Sequence, residues 1–281
     1  MVDVEDFLAS FGYAETTRET YRYVLGLLAE HSFAEWTASD LLAFVSRFGW
    51  GNSMQYVALS ACKKYIAWKL GAAHPSLRAR VKRVRPKRQR SMDESQILAL
   101  LASFDPYTAK GARDLALAAL AIDTGLRCSE LARVLLADVD LEHRTLQVIV
   151  KGGQWGIAIY SAETATYIER WLSFRRPADG VGTLFVSLRQ DRSRGRPLTK
   201  WGIKAIFRKW GRDLGFELSP HDARRTFGNM STLNGAPQSV AMAAGRWTSE
   251  EAFRRYTQDV TARAIEKYLP VPNALRHRDE S

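Results

Sequence analysis

Ser219-Pro220-His221-Asp222-Ala223-Arg224-Arg225-Thr226-Phe227 begins a stretch that continues through Gly245-Arg246-Trp247 to Tyr256, and the rest of the chain is organised around it. Ser219 suits a helix N-cap, and Pro220 suits the first helical position, where a missing N–H costs nothing. His221 and Arg224 then stand three apart and share one face of the predicted helix. That spacing puts an acid–base group beside a permanent cation at the positive end of a helix, a place where anions bind. Taken alone, the segment fits an ordinary capped amphipathic helix equally well. The residues upstream decide between the two.

The chain has 281 residues, enough for two modest domains, and its 46% hydrophobic and 25% charged content is that of a globular protein. A net charge of +11 is not ordinary and points to a polyanionic partner, most simply nucleic acid, although a membrane-surface protein can carry the same balance. No apolar run approaches the length of a membrane span, and the start Met1-Val2-Asp3-Val4-Glu5-Asp6 lacks the cationic end of a secretory signal. A cytoplasmic, nucleoid-associated protein without a membrane partner is expected. Cys62 and Cys128, the two cysteines, match no metal-ligand spacing and read as reduced buried thiols.

The organisation expected is mainly α with one small antiparallel sheet. Residues 1–77 read as an N-terminal helical bundle: Tyr21, Leu25 and Leu28 share a helical face, Ser39-Asp40 precedes an apolar run, and Asn52 or Ser53 caps a helix that Gly71 ends. Residues 78–90 hold eight Lys or Arg and no acid, a basic interdomain linker suited to tracking a phosphate backbone. Residues 91–281 read as an α+β domain. Ser91-Met92-Asp93-Glu94 has the form of a capping box, and a long apolar helix runs from about Arg113 to Asp123 with Gly125 behind it. Strands are expected at 145–150 and 155–160, joined by a hairpin with Lys151 at its tip, and a further short strand at 181–188. Ser161 and Thr199 cap the next two helices.

Thr124-Gly125-Leu126-Arg127-Cys128-Ser129-Glu130-Leu131 places an arginine on a turn before a short helix. With Lys151-Gly152-Gly153, His221-Asp222-Ala223-Arg224 and Gly245-Arg246-Trp247, all in this order, the chain resembles the tyrosine recombinase (phage integrase) family, of the simple two-domain, Xer/Cre-like type. The first segment is similar to the family's T-G-x-R-x-x-E-L, and the third to its H-x-x-R. The family's His or Trp lies nine residues before the nucleophilic tyrosine, and Trp247 to Tyr256 is nine whereas Arg246 to Tyr256 is ten. Trp247, not Arg246, is therefore assigned to the site, and Tyr256 is preferred to Tyr268. Two departures stand out: Gln154-Trp155-Gly156 where family hairpins carry further basic residues, and Arg225 where a histidine is common.

The resemblance implies a core-binding bundle, a catalytic domain, and the site residues Arg127, Lys151, His221, Arg224, Trp247 and Tyr256. Arginine forks suit the non-bridging oxygens of a phosphodiester, and a tyrosine can hold the phosphoryl group covalently. Lys151 is expected to protonate the leaving 5′-oxygen, and His221 to act as the general acid–base group. Glu130 is read as an arginine's orienting partner. No metal or cofactor is called for. The family implies a 3′-phosphotyrosyl intermediate, exchange through a Holliday junction, and a homotetramer on two double-stranded DNA sites with a dimer on each. Residues 257–281 pack either on their own domain or on a neighbouring protomer. Two alternatives stand: type IB topoisomerase-like relaxation, which the separate N-terminal bundle disfavours, and a catalytically retired DNA-binding protein, which the filled positions disfavour.

Overall fold

The computed structural model describes residues 2–82, 84, 90–149, 153, 155–254 and 257. The chain divides into two compact units, Met1–Lys87 and Arg88–Ser281. In the first unit, helices α1 (Val2–Ala9), α2 (Glu15–Ala29), α3 (Ala38–Ser46) and α4 (Asn52–Leu70) are followed by a 3-10 turn, Pro75–Arg78. Their apolar faces meet in one core, in which Phe7, Leu25, Leu28, Leu41, Tyr65 and Ile66 are fully buried. Thr37, ahead of the expected Ser39-Asp40, caps α3 in a reciprocal box: its backbone N–H donates to Asp40 Oδ2 at 2.8 Å, and its Oγ1 accepts the Asp40 N–H at 3.4 Å. Gly71, at φ 93°, ends α4 as expected.

One expectation changes in this unit. Gly51, not Asn52 or Ser53, occupies the N-cap of α4. Asn52 is drawn away by the chain that follows the bundle, donating to the Lys82 carbonyl at 3.0 Å and accepting the Val84 N–H at 3.3 Å. The Tyr56 hydroxyl donates to the Val81 carbonyl at 2.5 Å and Lys63 Nζ to that of Ala79 at 2.8 Å, so the basic segment is fastened along α4 as far as Val84.

The second unit contains α5 (Glu94–Ala102), α6 (Ala109–Thr124), α7 (Cys128–Leu131), β1 (Val139–Asp140), β2 (Thr145–Ile149), β3 (Trp155–Ile159), α8 (Ala162–Phe174), α9 (Lys200–Leu214), α10 (Pro220–Leu233) and α11 (Gln238–Ala244). α6 is its axis, buried almost all round, and α8 and α10 pack against it. Its alanines let those neighbours approach closely. It starts four residues before the expected Arg113, at Ala109, because Thr108 Oγ1 accepts the Gly111 N–H at 3.1 Å. The charges of Arg113 and Asp114 look foreign to a buried helix, but they pair at 2.5 Å, and Asp114 also accepts from Lys110 at 3.0 Å and Trp210 Nε1 at 3.1 Å.

The expected capping box at Ser91 is displaced by two residues. Asp93 caps α5 with Gln96 as its partner. Ser91 Oγ instead accepts from Asn229 Nδ2 at 2.6 Å, and the Met92 N–H donates to Thr226 Oγ1 at 2.8 Å, so this edge of the unit lies along α10. The sheet is antiparallel in the order β1-β2-β3, with Thr145 opposite Ile159 and Ile149 opposite Trp155. Leu146, Val148 and Ala158 face the core, while Ile149, Trp155, Ile157 and Ile159 face outward. The strand expected at 181–188 does not form; only the isolated bridges Leu135–Thr183 and Val186–Pro197 are made. Side chains occupy some of the carbonyls a ladder would need: Arg175 donates to those of Val181, Thr183 and Leu184, and Trp171 Nε1 to that of Leu184 at 2.9 Å, while those of Gly182, Phe185 and Ser187 accept from scattered backbone N–H groups. Among the described residues, no helix is long and apolar enough to cross a membrane.

Candidate active site

The site is built where α10 crosses the C-terminal end of α6. Ser219 caps α10, accepting the Asp222 N–H at 3.3 Å and donating its hydroxyl to Asp222 Oδ2 at 2.6 Å, with Pro220 at the first position. Asp222 is 2% exposed and also pairs with Arg225 Nη1 at 2.9 Å, which fixes the first turn. One turn into the helix, Arg224 is 3% exposed and donates Nη1 to the Gly125 carbonyl at 2.5 Å. Gly125 closes α6 at φ 57°, and a Cβ there would stand 2.8 Å from the Phe227 ring. The glycine is thus required twice, by the backbone and by the neighbour.

Trp247 lies against the other side of Arg224, whose guanidinium carbon is 4.1 Å from the ring centroid. Such a cation–π contact, largely out of water, is worth roughly 1–2 kcal/mol. Phe227 lies parallel to Trp247, with centroids 6.0 Å apart and planes at 10°, and Phe253 meets it edge-on at 5.0 Å. A Cβ on Gly245 would sit 1.7 Å from the Trp247 ring, so the glycine two residues earlier makes room for the tryptophan. The indole is a wall that holds the Arg224 fork in one plane.

Arg127 occupies the N-cap of α7. Its Nη1 donates to Glu130 Oε1 at 2.7 Å, and its backbone N–H donates to Glu130 Oε2 at 2.8 Å. Glu130 is 7% exposed, whereas the Arg127 side chain keeps 38% of its surface in solvent. A buried acid thus holds a cation that still reaches outward. His221, at the start of α10 with only part of its surface in solvent, lies within the electrostatic reach of both arginines. Loss of water around the ring lowers its pKa from the ordinary 6.5, and the charges of Arg225, Arg224 and Arg127 lower it further against the opposing pull of Asp222. The shift favours the neutral imidazole. The stability linked to this shift is complete above the ordinary histidine value and is lost as pH falls through the lowered one. In an NMR titration, His221 should take its proton below pH 6.5. In Arg225→Gln the midpoint should rise, because a cation leaves and Asp222 loses its partner.

Of the six residues singled out in the sequence, Arg127, His221, Arg224 and Trp247 are brought around the Gly125 turn. Lys151 and Tyr256 lie outside the described residues, as does Tyr268. Several contributors carried no readable signal: Phe227 as the layer between Gly125 and Trp247, Asp222 as the anchor of the cap, and above all Arg246. Arg246 has φ 58°, its side chain is 8% exposed, and it donates Nη2 to the Thr124 carbonyl at 2.9 Å and Nη1 to that of Ala244 at 2.8 Å. Its interval of ten residues to Tyr256, one more than nine, drew attention to Trp247 instead.

Residues 90–263 match the model of the phage integrase family. The tyrosine recombinase XerC of Actinobacillus pleuropneumoniae serotype 7 (strain AP76) is 26% identical over 219 residues, spanning 73% of this chain and 69% of that one. The tyrosine recombinase XerA of Pyrococcus furiosus is 25% identical over 276 residues, spanning 96% and 93%. Among solved structures, the Tn1549 transposon integrase in complex with circular intermediate DNA superposes with a TM-score of 0.73 at 15% identity, covering 91% of this chain and 93% of that one. The chain belongs to the phage integrase family, the tyrosine recombinases, and is accordingly an enzyme of DNA strand transfer.

Proposed function

We propose that the chain is a site-specific recombinase that cuts and rejoins DNA through Tyr256. The observation that carries this is the pair of arginines fixed about one turn, Arg224 through the Gly125 carbonyl and Arg127 through Glu130, with His221 in their field. In this scheme the two forks hold the non-bridging oxygens of one phosphodiester and bind more tightly as charge builds in the transition state. Tyr256 Oη attacks phosphorus and its proton passes to His221. The P–O5′ bond breaks as the P–Oη bond forms, and Lys151 supplies the proton to the departing 5′-oxygen. The 3′-phosphotyrosyl bond conserves the energy for the reverse step, in which the 5′-hydroxyl of a second duplex attacks. Trp247 keeps Arg224 in plane.

Duplex binding is supported by the charge of +11 and by the outer face of α9. There Trp201 is 63% exposed, and the ammoniums of Lys200 and Lys204 lie 5.4 and 4.6 Å from its ring centroid. The basic segment 78–90 adds a run of cations suited to phosphates. Four copies on two sites, exchanging strands through a Holliday junction, complete the proposal, with residues 1–77 as the core-DNA-binding domain and residues 91–281 as the catalytic domain. The test is a nicked duplex carrying the chain's own recombination site, from which the cleaved 5′ fragment diffuses away. A protein–DNA adduct stable to denaturant is expected, and the absence of any adduct on such duplexes would refute the scheme.

A further inference from the structure

We propose that Arg246 is a positioning residue for Arg127, holding Glu130 and the Arg127 fork in the geometry that strand cleavage requires; this rests on the recombinase function proposed above. Arg246 stands at φ 58°, a left-handed conformation that glycine takes freely and a residue with a Cβ does not. Backbone considerations alone would place glycine there. The side chain must therefore supply what glycine cannot.

What it supplies is a brace across three pieces of chain. Nη2 donates to the Thr124 carbonyl at 2.9 Å, the residue before the Gly125 that holds Arg224. The same Nη2 lies 4.0 Å from Glu130 Oε2, while Glu130 Oε1 holds Arg127 Nη1 at 2.7 Å. Nη1 ties back to the Ala244 carbonyl at 2.8 Å. The left-handed turn also directs the Arg246 carbonyl to Arg127, which donates Nη2 to it at 3.5 Å, and delivers the next residue, Trp247, beneath Arg224. Arg127 is the more exposed of the two forks, and among the described residues no aromatic ring is stacked on it, so its orientation depends on Glu130 and on this carbonyl. Burial lowers the pKa of Arg246 and Glu130 opposes that; a guanidinium in this position still keeps its charge.

Arg246→Gly removes the brace and relaxes the backbone, so it is expected to fold. The rate of adduct formation on the nicked duplex should fall roughly 30- to 100-fold, the scale of a misplaced catalytic group, while duplex affinity stays within about threefold. A second substrate separates positioning from general damage: a methylphosphonate at the scissile position is uncharged and makes little use of a precisely aimed Arg127 fork. On it the deficit should shrink to less than about threefold, because the contact that Arg246 supports no longer carries the reaction. Arg246→Lys, which keeps the charge without the fork, is read in the same way and should lie between wild type and Arg246→Gly. A rate near wild type in Arg246→Gly, or an equal deficit on both substrates, would overturn the assignment. All rates are taken on adduct that Tyr256→Phe eliminates. If the wild-type adduct survives that change or never forms, the recombinase function fails first and this inference with it. If the adduct depends on Tyr256 but not on Arg246, only this inference fails.

Discussion

Tyr256→Phe leaves duplex binding intact and eliminates the denaturant-stable adduct, a loss of at least roughly a thousandfold in cleavage of the nicked substrate. The substitution removes one hydroxyl and no ring surface, so neither fold nor affinity should move appreciably. Tyr268→Phe serves as the comparison and should form adduct at the wild-type rate. The measurement is the fraction of labelled strand retained with protein on a denaturing gel over time. Adduct that persists in Tyr256→Phe and vanishes in Tyr268→Phe would transfer the nucleophile to Tyr268, outside the nine-residue interval from Trp247.

Arg224→Lys should slow adduct formation by about 10²- to 10³-fold, the usual cost of removing one preorganised donor from a developing phosphoryl charge. Lysine keeps the charge. It lacks the planar fork that reaches the Gly125 carbonyl at 2.5 Å while lying on the Trp247 ring at 4.1 Å. A buried carbonyl loses its donor, so a destabilisation of about 2 kcal/mol is expected as well, readable as a lower midpoint in urea. Because that loss is modest, the folded variant can be assayed directly. A rate within tenfold of wild type would place Arg224 outside the chemistry and leave it a structural role.

Much of the fold was legible in the sequence because its signals are local. The Ser161, Thr199 and Ser219 caps, the Gly71 and Gly125 stops and the β2–β3 hairpin each depend on neighbours a few residues away. Where competition came from afar, the local signal misled. Ser91 had the pattern of a cap but is claimed by Asn229, and the apolar run at 181–188 had the pattern of a strand but yields its carbonyls to Arg175 and Trp171. In the site, residue types and spacing drew attention to Arg127, His221, Arg224 and Trp247, but not to the contacts among them. Nothing in the string Gly245-Arg246-Trp247 says that the arginine adopts a glycine-like backbone, or that its side chain turns back to Thr124.

The seam between Arg90-Ser91-Met92 and α10 bears on how this protein can be dissected. Arg90 pairs with Glu217 and lies 3.8 Å from Asp222, Ser91 meets Asn229, and Met92 meets Thr226. A fragment begun at Asp93, where α5 is capped, would look complete by its helices. It would also expose the flank of α10 and lose the hydrogen bonds to Thr226 and Asn229, at roughly 0.5–1.5 kcal/mol each. An isolated catalytic fragment should therefore begin no later than Arg90, and a shorter one is expected to unfold in less denaturant.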